Sequence, residues 1–596
     1  MALVHCFQFF LLSVCINSFT IFMYVIYHGD LLWTSYNQSV EEEYDYIIVG
    51  SGTAGSVIAQ RLASETNHTF VVLEAGGSSN FLFDVPVLGP LLHGSVYDWQ
   101  YETVPQENAC YAMENKKCQL FQGKIIGGSS KLNNMIHVRG NISHYLDWFH
   151  GEYDEEFIRR HFEFVEDNIL NLDEIRFQSE LADAILEAAE ELGYHTINVE
   201  FEQGFRKSKV SQKNGKRWSA SNSLDSKYIK IDALVQKVLV TNNKAYGVSV
   251  IVSDKEKNIY ARKGVILSAG SLNTPKILQL SGIGPSELLK PLDIRVVKDL
   301  PVGKNLQDHI GTGLDLIMFN KSLSVSAIDM LNVYYATQYF VHGKGPFTTP
   351  GCEVVGFIST KNESTPDLQF MVLPVGISSD RGTRLRTSLA ISDLTWYNYF
   401  AKSFEKHTAT ILPLILHPKS KGDVRIRNKD PKSAPLIDPK YLSKRNDVDT
   451  LIRGLKLIVN FIDTHAMRKI GAYINPMPFP GCERYLIFSD QYWECYIRHL
   501  TLTSYHPVGT CAMGLSAEDS VVDTSFQVFG ISSLYVADGS VLPTLPSGNI
   551  NAAIAMMASV FFEANFLSKP NFPRPEHVCN KKDYLDELLF KICIFK

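Results

Sequence analysis

Near the C-terminus, the segment Ser504–Gly514 (SYHPVGTCAMG) places His506 among aromatic, proline and glycine residues. An unperturbed imidazole has a pKa near ~6.5, so a histidine can take and release protons near neutral pH. A histidine in a tight loop also commonly satisfies one local hydrogen bond. The segment alone does not show whether His506 is a proton carrier or a structural histidine. The rest of the sequence is needed to choose between them.

The chain is long enough for two or more lobes that share a large core. It has 596 residues, of which 45% are hydrophobic and 20% are charged, a composition typical of globular proteins. The net charge of -6 and the lack of a clustered basic segment argue against phosphate binding along a surface. We therefore expect no nucleic acid among its partners.

The N-terminal segment is apolar. No Asp, Glu, Lys or Arg occurs from Ala2 to Tyr27. This run exceeds the roughly 20 residues that span a bilayer, but it lacks the basic start and the obvious cleavage site of a secretory signal. We predict that residues 1–29 are a signal peptide or a membrane anchor and that residues 30–43 are a linker. The remainder is then expected in the secretory pathway, secreted or anchored on the luminal side of a membrane.

Cysteines and glycosylation motifs agree with an oxidising compartment. Eight of the ten cysteines lie outside the N-terminal segment, and two pairs are close enough in sequence to form disulfide bonds, although spacing does not prove the pairing. These pairs are Cys110 with Cys118 and Cys482 with Cys495. Cys511 is instead predicted to be a buried thiol. Acceptor triplets for N-glycosylation begin at Asn37, Asn67, Asn141, Asn320 and Asn362.

A glycine-rich turn follows the linker, where the segment Tyr44–Leu62 changes from an apolar strand to an amphipathic helix. Such glycines permit a tight turn, the approach of a pyrophosphate and close packing of helix on strand. A second strand ends at Glu74, about 20 residues after the last glycine, where a carboxylate can accept hydrogen bonds from a ribose. The pattern predicts an adenine-dinucleotide site. The residues predicted at the turn are Gly50, Gly52, Thr53, Ala54 and Gly55.

Further motifs identify a family. The segments Gly123–Asn134 (GKIIGGSSKLNN) and Gly270–Gly284 (GSLNTPKILQLSGIG) match two signatures of the glucose–methanol–choline (GMC) flavoprotein oxidoreductases. The segments Leu73–Gly77 and Pro301–His309 also resemble this family. Motif style and cysteine placement are most similar to its insect glucose-dehydrogenase-like branch. The resemblance extends from Tyr44 to about Leu567, which is nearly the whole mature chain.

The resemblance implies bound FAD and a two-lobed α/β (α+β) fold. One domain would be Rossmann-like and bind FAD, and a discontinuous second domain of antiparallel sheet and helices would bind the substrate. The FAD-binding domain is expected over residues 44–310, with a substrate-side insertion around residues 150–220. The substrate-binding domain would cover residues 311–496. A segment over residues 497–567 would complete the FAD domain and the active site, and a tail would follow over residues 568–596.

The resemblance also implies cofactor contacts. The glycine turn and Glu74 would hold the ADP half of FAD, the backbone of Val235 would meet adenine, and Asp538 would lie near the phosphates and the ribityl chain. Leu132 stands where some members carry a histidine that binds FAD covalently, so a dissociable flavin is expected. Further contacts are expected at Gly127, Gly128, Ser129, Asn133, Asn134 and Asn549.

Two residues match the active site of the family. Tyr505–Pro507 contains its His-Pro pair, and Ser547–Asn551 contains its second active-site position, which is Asn549 here. Oxidation of an alcohol removes a hydroxyl proton and a carbinol hydride. The resemblance implies that His506 takes the proton, that Asn549 donates a hydrogen bond to the same oxygen, and that the hydride passes to flavin N5. The proton carrier thus becomes the favoured interpretation of His506.

Departures from the family pattern cluster on the substrate side. His137 stands where the family signature has an aromatic residue or alanine, and Leu146 replaces a small polar or acidic residue. The loop Phe149–Tyr153 is shorter than in typical members. His137 is either a second proton carrier or, as we favour, a structural or surface imidazole.

The implied activity is FAD-dependent oxidation of a CH–OH group in an alcohol, a sugar, or a steroid or retinoid alcohol. A dehydrogenase is favoured over an oxidase, with a quinone-like compound or oxygen as electron acceptor, and no metal is expected. Two alternatives stay open. One is a flavin-containing lyase of the same fold without net redox turnover, and the other is a catalytically silent luminal binding protein.

Overall fold

The computed structural model describes residues 41–197, 203–323, 325 and 333–567. The predicted signal peptide or anchor, Asn37 and the tail lie outside the described residues. Among the helices within these ranges, none is both long enough and apolar enough to cross a membrane.

Strands and helices are mixed along the chain, and the seven strands between residues 204 and 267 follow one another without an α-helix between them. The strands are β1 Glu43–Val49, β2 Phe70–Leu73, β3 Tyr101–Glu102, β4 Gln119–Leu120, β5 Leu172–Glu174, β6 Gly204–Lys207, β7 Lys209–Lys213, β8 Lys216–Arg217, β9 Ile229–Lys230, β10 Ala233–Thr241, β11 Lys244–Val252, β12 Lys255–Leu267, β13 Ile310–Gly311, β14 Ile317–Phe319, β15 Val354–Ile358, β16 Leu368–Leu373, β17 His407–Ile415, β18 Asp423–Arg425, β19 Leu436–Asp438, β20 Ala472–Ile474, β21 Leu502–Thr503 and β22 Leu534–Val536. The α-helices are α1 Thr53–Glu65, α2 Ile142–Trp148, α3 Glu155–Asn168, α4 Glu180–Glu191, α5 Gly270–Leu280, α6 Ser286–Leu289, α7 Val333–His342, α8 Leu385–Ser388, α9 Asp393–Asn398, α10 Arg445–Ile462, α11 His465–Lys469, α12 Asp490–His499 and α13 Ile550–Phe566.

The first layer is a mixed sheet with the strand order β10-β11-β12-β1-β2-β9, and β22 pairs with β12. β1 runs parallel to β2 and β12, whereas β10, β11 and β12 pair antiparallel. Ile47 and Ile48 on β1 are both fully buried although they point to opposite faces. A strand that is apolar on both faces requires cover on both sides of the sheet, as in Rossmann-like folds.

The C-terminal helix α13 packs against α1 and α3 on one face of this sheet. The Arg61 guanidinium of α1 donates to the Ser559 carbonyl at 2.9 Å and to the Ser559 hydroxyl at 3.0 Å. The same guanidinium lies over the rings of Phe164 and Phe562. Helix α13, near the C-terminus, therefore packs beside helix α1, which follows the first strand of the sheet.

The second layer is an antiparallel sheet with the order β20-β14-β17-β16-β15-β6, to which β13 and β21 are joined through β17. Helices α10 and α12 pack together beside it, and Leu181 and Ile185 of α4 lie in the same apolar core. These two layers confirm the predicted fold class.

A short ladder between β13 and β21 brings distant parts of the chain together. Ile310 pairs with Thr503, and Gln307 pairs with Val508. The Ser504 N–H donates to the His309 carbonyl at 2.8 Å. This ladder places the loop that contains His506 beside the antiparallel sheet.

The predicted cysteine pairs are bonded. Cys110 is joined to Cys118, and Cys482 is joined to Cys495. Cys511 is a buried free thiol, as predicted. The second disulfide bond ties the loop that contains Cys482 to α12, and both bonds lie in or against the apolar core of the second layer.

Candidate functional site

A cavity lies at the carboxyl ends of β1 and β2, which is where open α/β sheets bind ligands. His506 lies in the wall of the same cavity. The structure thus brings most of the predicted cofactor and catalytic residues together. Those that line the cavity are Gly50, Gly52, Thr53, Ala54, Glu74, Gly128, Ser129, Asn133, Asn134, Val235, Asp538 and Asn549.

The first glycine turn has the form that a phosphate group requires. Gly50 has a φ of +102°, and a Cβ there would lie 2.5 Å from the Ser268 carbonyl oxygen. A Cβ on Gly52 would meet nothing within 4 Å. Gly52 caps α1 without a side-chain hydrogen bond, so the N–H groups of the first turn stay available. A helix N-terminus of this kind binds an anion through its N–H groups and its dipole.

Gly55 lies behind the cavity wall, in the contact between α1 and β1. A Cβ on Gly55 would lie 2.0 Å from the Gly50 carbonyl oxygen and 3.3 Å from the Ile48 side chain. Its role is therefore close packing of α1 on β1, which permits the tight turn that precedes the helix.

The Glu74 carboxylate, at the end of β2, is buried. Its Oε2 accepts hydrogen bonds from the Ser51 N–H at 2.9 Å and the Ser51 hydroxyl at 2.7 Å, and its Oε1 accepts from the Gly76 N–H at 2.9 Å. Burial raises the pKa of Glu74, and these hydrogen bonds oppose that rise. Each oxygen keeps acceptor capacity for a ribose hydroxyl, and the carboxylate also holds the glycine turn in place.

The second glycine loop touches the first. A Cβ on Gly128 would lie 3.1 Å from the Gly52 Cα. Gly127 is not among the residues that line the cavity, and its N–H donates to the Ser51 carbonyl at 3.1 Å. The two loops therefore form one backbone cradle.

A buried arginine holds Asn133. The Arg217 Nη1 donates to the Asn133 carbonyl at 2.6 Å, to the Asn133 Oδ1 at 2.8 Å and to the Ser130 carbonyl at 3.1 Å. Burial lowers the pKa of Arg217 to about 10, so the guanidinium stays charged at neutral pH. Sequence reasoning missed Arg217, because no motif connects it to the loop.

Asp538 organises the start of α5. Its Oδ2 accepts from the Gly270 N–H at 2.9 Å and the Thr274 hydroxyl at 2.6 Å, and its Oδ1 accepts from the Ser540 N–H at 2.8 Å. Val235 lies on the other side of α5, on β10, and also lines the cavity. Both residues therefore line the same cavity as the glycine turn.

The polar groups of the wall fit a dinucleotide. The Gln122 side chain donates to the Ala269 carbonyl at 2.9 Å, and its Oε1 is a buried acceptor without a partner. Such an acceptor is matched by a hydroxyl of a ligand in the cavity. Together with the N–H groups after Gly52 and the Glu74 carboxylate, it supplies partners for phosphate and hydroxyl groups.

His506 is held through both ring nitrogens. Its Nδ1 lies 3.0 Å from the His309 Nδ1, and its Nε2 lies 3.3 Å from the Asn549 Nδ2. Burial lowers the pKa of His506 to about 3, so its imidazole is neutral at physiological pH. The preceding residue, Tyr505, has a φ of +59°, a conformation that few residues with a Cβ adopt. The loop therefore holds a neutral imidazole against the cavity.

Asn549 is the N-cap residue of α13, yet its side chain makes no capping hydrogen bond. The Gln369 Nε2 on β16 instead donates to the Asn549 Oδ1 at 3.0 Å. This hydrogen bond turns the Asn549 Nδ2 towards His506. The side chain thus presents an N–H donor at the same point of the wall as the His506 Nε2.

Asp308 fixes the backbone of the His506 loop. Its Oδ1 accepts from the His506 N–H at 2.8 Å, and its Oδ2 accepts from the Tyr441 hydroxyl at 2.6 Å and from the Thr503 hydroxyl. Burial raises the pKa of Asp308 to about 6. The sequence analysis recognised the motif Pro301–His309 but assigned it no role, so that motif was the available signal for both Asp308 and His309.

His137 lies away from the cavity wall. Its Nε2 is 2.8 Å from Glu166 Oε1, and Arg139 donates to both Glu166 oxygens at 2.7 and 2.6 Å. Burial would raise the pKa of Glu166, but the hydrogen bonds from Arg139 and His137 and the charge of Arg139 lower it to about 2. The imidazole is thus part of a buried hydrogen-bond network, which agrees with its favoured structural interpretation. Leu132 lines the cavity, and its carbonyl accepts from His93 Nε2 at 3.1 Å.

Two family models match the chain. Both are described as GMC oxidoreductase, and they cover residues 44–311 and 418–558. Together they include both glycine loops, His506 and Asn549.

Curated relatives match most of the chain. Glucose dehydrogenase [FAD, quinone] of Drosophila melanogaster is 31% identical over 87% of this chain and 85% of that protein. Ecdysone oxidase of Bombyx mori is 31% identical over 87% and 81%. Alcohol dehydrogenase [acceptor] of Pseudomonas putida is 32% identical over 86% and 94%.

Solved structures share the fold at lower identity. Formate oxidase superposes with a TM-score of 0.76 at 21% identity, covering 89% of this chain and 99% of that chain. Pyridoxine 4-oxidase superposes with a TM-score of 0.72 at 22% identity, covering 88% and 100%. The motifs, the cavity and these matches agree, and the chain belongs to the FAD-binding GMC oxidoreductase family.

Proposed function

We propose that this FAD-dependent oxidoreductase oxidises the CH–OH group of an alcohol with His506 as the base that takes the hydroxyl proton. The observation that carries the proposal is the convergence of His506 Nε2 and Asn549 Nδ2, 3.3 Å apart, on the wall of the cavity that contains the dinucleotide loops. An alcohol oxygen that loses its proton needs a base to take the proton and a hydrogen-bond donor to stabilise the negative charge. A neutral imidazole and an amide N–H at the same point can supply both.

The two side chains have complementary tasks. The His506 Nδ1 is engaged with His309, so Nε2 is the nitrogen that can accept a proton from a substrate. The Asn549 amide carries no titratable proton, so it can donate to the substrate oxygen without competing as a base. FAD, when bound, supplies the hydride acceptor that no amino-acid side chain provides. The products of the step are a carbonyl compound, a reduced cofactor and one proton on His506.

The residues of the cradle would hold FAD without a covalent bond. The N–H groups after Gly52 would bind the pyrophosphate, Glu74 would accept from the adenosine ribose, and Val235 would meet the adenine. Leu132 offers no nucleophile for covalent attachment. The lyase and binding-protein alternatives find no support in the reported relatives, whose printed names are dehydrogenases and oxidases.

The wall near His506 favours an uncharged substrate with an apolar body. Met135, Ile136 and Met371 line the cavity and belong to one apolar cluster, and the Phe121 and Tyr505 rings lie 4.8 Å apart beside them. A sugar with many hydroxyls would lose hydration there without gaining partners, and a quaternary ammonium would gain only the ring faces of Phe121 and Tyr505.

The charged side chains of the described wall lie at the other end. Glu74 is bound to Ser51, Asp538 is bound to Gly270, and Lys276 is part of α5. They are therefore grouped with the dinucleotide loops. Steroid and retinoid alcohols fit the apolar end better than glucose or choline does.

The electron acceptor is proposed to be a quinone-like compound in preference to oxygen, and the location is proposed to be the secretory pathway. The printed name of the Drosophila relative supports a quinone. Both disulfide bonds support an oxidising compartment. Three acceptor asparagines are exposed, which supports glycosylation: Asn67, Asn320 and Asn362.

Replacing Glu74 with Ala should lower FAD retention after gel filtration, because the ribose acceptor and the anchor of Ser51 are both lost. Glu74→Gln should retain more FAD than the Ala variant, because one oxygen still accepts. Flavin content is read from the absorption of the denatured, filtered protein. Full occupancy in the Ala variant would remove Glu74 from the site.

Replacing His506 with Ala should leave FAD bound but slow anaerobic flavin reduction by about 10²–10⁴-fold, the usual contribution of a general base. Stopped-flow absorption of the oxidised flavin measures the rate constant. Asn549→Asp is a useful partner variant, because it removes the donor while keeping the shape. Unchanged reduction in the His506 variant would contradict the assignment.

Flavin reduction should stay nearly constant as the pH falls from about 8 to about 5, because the pKa of His506 is lowered to about 3 and the base stays neutral. A histidine that is neutral when buried takes up protons on unfolding below its ordinary pKa near ~6.5, so acid also lowers the free energy of unfolding. Rapid pH-jump mixing separates the two effects. A fall in rate centred near ~6.5 would show that the imidazole titrates normally.

A panel of substrates tests the proposed function. Retinol, a hydroxysterol, glucose, choline and ethanol are mixed anaerobically with the holoenzyme while flavin absorption is followed. Reduction per unit concentration should be at least about tenfold faster for the two apolar alcohols than for glucose or choline. Quinone should then reoxidise the flavin faster than oxygen does. Absence of bleaching by every alcohol would overturn the proposed function, and preference for glucose would overturn the apolar substrate.

A further inference from the structure

His309 lies directly behind the proposed base. It is fully buried, and it lies between the His506 ring and the main chain of Leu416. Its Nδ1 is 3.0 Å from the His506 Nδ1, and its Nε2 is 3.0 Å from the Leu416 carbonyl oxygen. The two imidazole planes are nearly perpendicular, at 84°, so the contact joins ring nitrogens and is not a stack.

The Leu416 carbonyl determines where the proton of His309 sits. A carbonyl oxygen only accepts hydrogen bonds, so the His309 Nε2 must carry the hydrogen. A neutral imidazole has one N–H, which leaves the His309 Nδ1 as an acceptor. Burial and the neighbouring His506 hold the pKa of His309 well below its ordinary value, which keeps the ring neutral. The 3.0 Å contact must therefore receive its hydrogen from the His506 Nδ1.

We propose that His309 is a positioning residue that fixes the tautomer of His506, with the hydrogen on Nδ1 and the free lone pair on Nε2. The inference rests on the proposed role of His506 as the base, because only the Nε2 lone pair faces Asn549 and the cavity. The other tautomer would present an N–H at that point and could not accept the hydroxyl proton.

Asp308 does not perform this task. Its oxygens are occupied by the His506 N–H, the Tyr441 hydroxyl and the Thr503 hydroxyl, all away from the imidazole. The two adjacent residues therefore have different roles. Asp308 orients the backbone of the His506 loop, and His309 orients the His506 ring. A neutral orienting residue also avoids a second buried charge next to the base.

The kinetic test compares His309→Leu with His309→Asn in the FAD-bound enzyme. Leucine fills the space but accepts no hydrogen bond, so flavin reduction should slow by about 10²–10⁴-fold, as when an orienting residue is lost from other proton-transfer sites. Asparagine places a carbonyl oxygen near the position of the Nδ1. His309→Asn should therefore reduce its flavin at least about tenfold faster than His309→Leu. FAD content and the dissociation constant of the substrate should change by less than about threefold in both variants.

His161 provides the matched control. Its imidazole is also buried, its Nδ1 lies 2.9 Å from the Ser559 hydroxyl, and it is not among the residues that line the cavity. His161→Leu should leave the reduction rate within about threefold of the wild type. Equal losses in the Leu and Asn variants of His309, or a fast Leu variant with full FAD content, would overturn the proposal.

A spectroscopic test is independent of turnover. In holoenzyme labelled with ¹⁵N-histidine, the His506 Nδ1 should be the protonated nitrogen, and its N–H should show scalar coupling to the unprotonated His309 Nδ1 across the hydrogen bond. This signal should disappear in His309→Leu and in His506→Ala, and it should persist in His161→Leu. Its presence without reduction by any alcohol would uphold the tautomer and reject the proposed function. Its absence in the wild type would reject the tautomer whatever the activity.

Discussion

The antiparallel pairing of residues 307–311 with residues 502–508 is the interaction on which the site depends. The same segment pairs on its other side with β17, so it joins the cavity to the antiparallel sheet through backbone hydrogen bonds. The Asp308 carboxylate then holds the His506 loop through the His506 N–H and the Thr503 hydroxyl, and it also accepts from the Tyr441 hydroxyl. Moving this loop would leave buried polar groups unpaired, at a cost of about 1–3 kcal/mol for each group. His506 is therefore fixed where the two layers meet.

Burial keeps the groups around His506 neutral or weakly acidic. It lowers the pKa of both His309 and His506, and it raises the pKa of Asp308 to about 6. An imidazolium is therefore unfavourable in the resting site. In the proposed reaction, positive charge would appear on His506 only when negative charge develops on the substrate oxygen, so the favourable interaction between them would be greatest in the transition state. Interactions of this kind raise the rate without tightening the binding of the ground state.

Short sequence motifs predicted the backbone cradle of the two glycine loops. They did not predict the contacts between side chains that are far apart in the sequence. The glycine turn, the helix start and Glu74 lie within about 25 residues, and the disulfide partners are 8 and 13 residues apart, so spacing carried the information. His309 is 197 residues from His506, and Gln369 is 180 residues from Asn549. No periodicity encodes such contacts. The loop pattern predicted the three glycine roles together, and the structure shows that close packing of α1 on β1 is the role of Gly55.

The neutral base and the apolar wall are two consequences of one physical condition. Met371 and its neighbours exclude water from the end of the cavity where His506 lies, and this lowers the local dielectric. A polar substrate would lose its hydration there without compensation. The same loss of water strengthens the few hydrogen bonds that remain, above all the one that Asn549 can donate to the reacting oxygen. A more polar wall would admit water, raise the pKa of His506 towards its ordinary value and weaken that donor. Substrate selectivity and proton transfer therefore depend on the same dry surface, so a substitution that changes one should change the other.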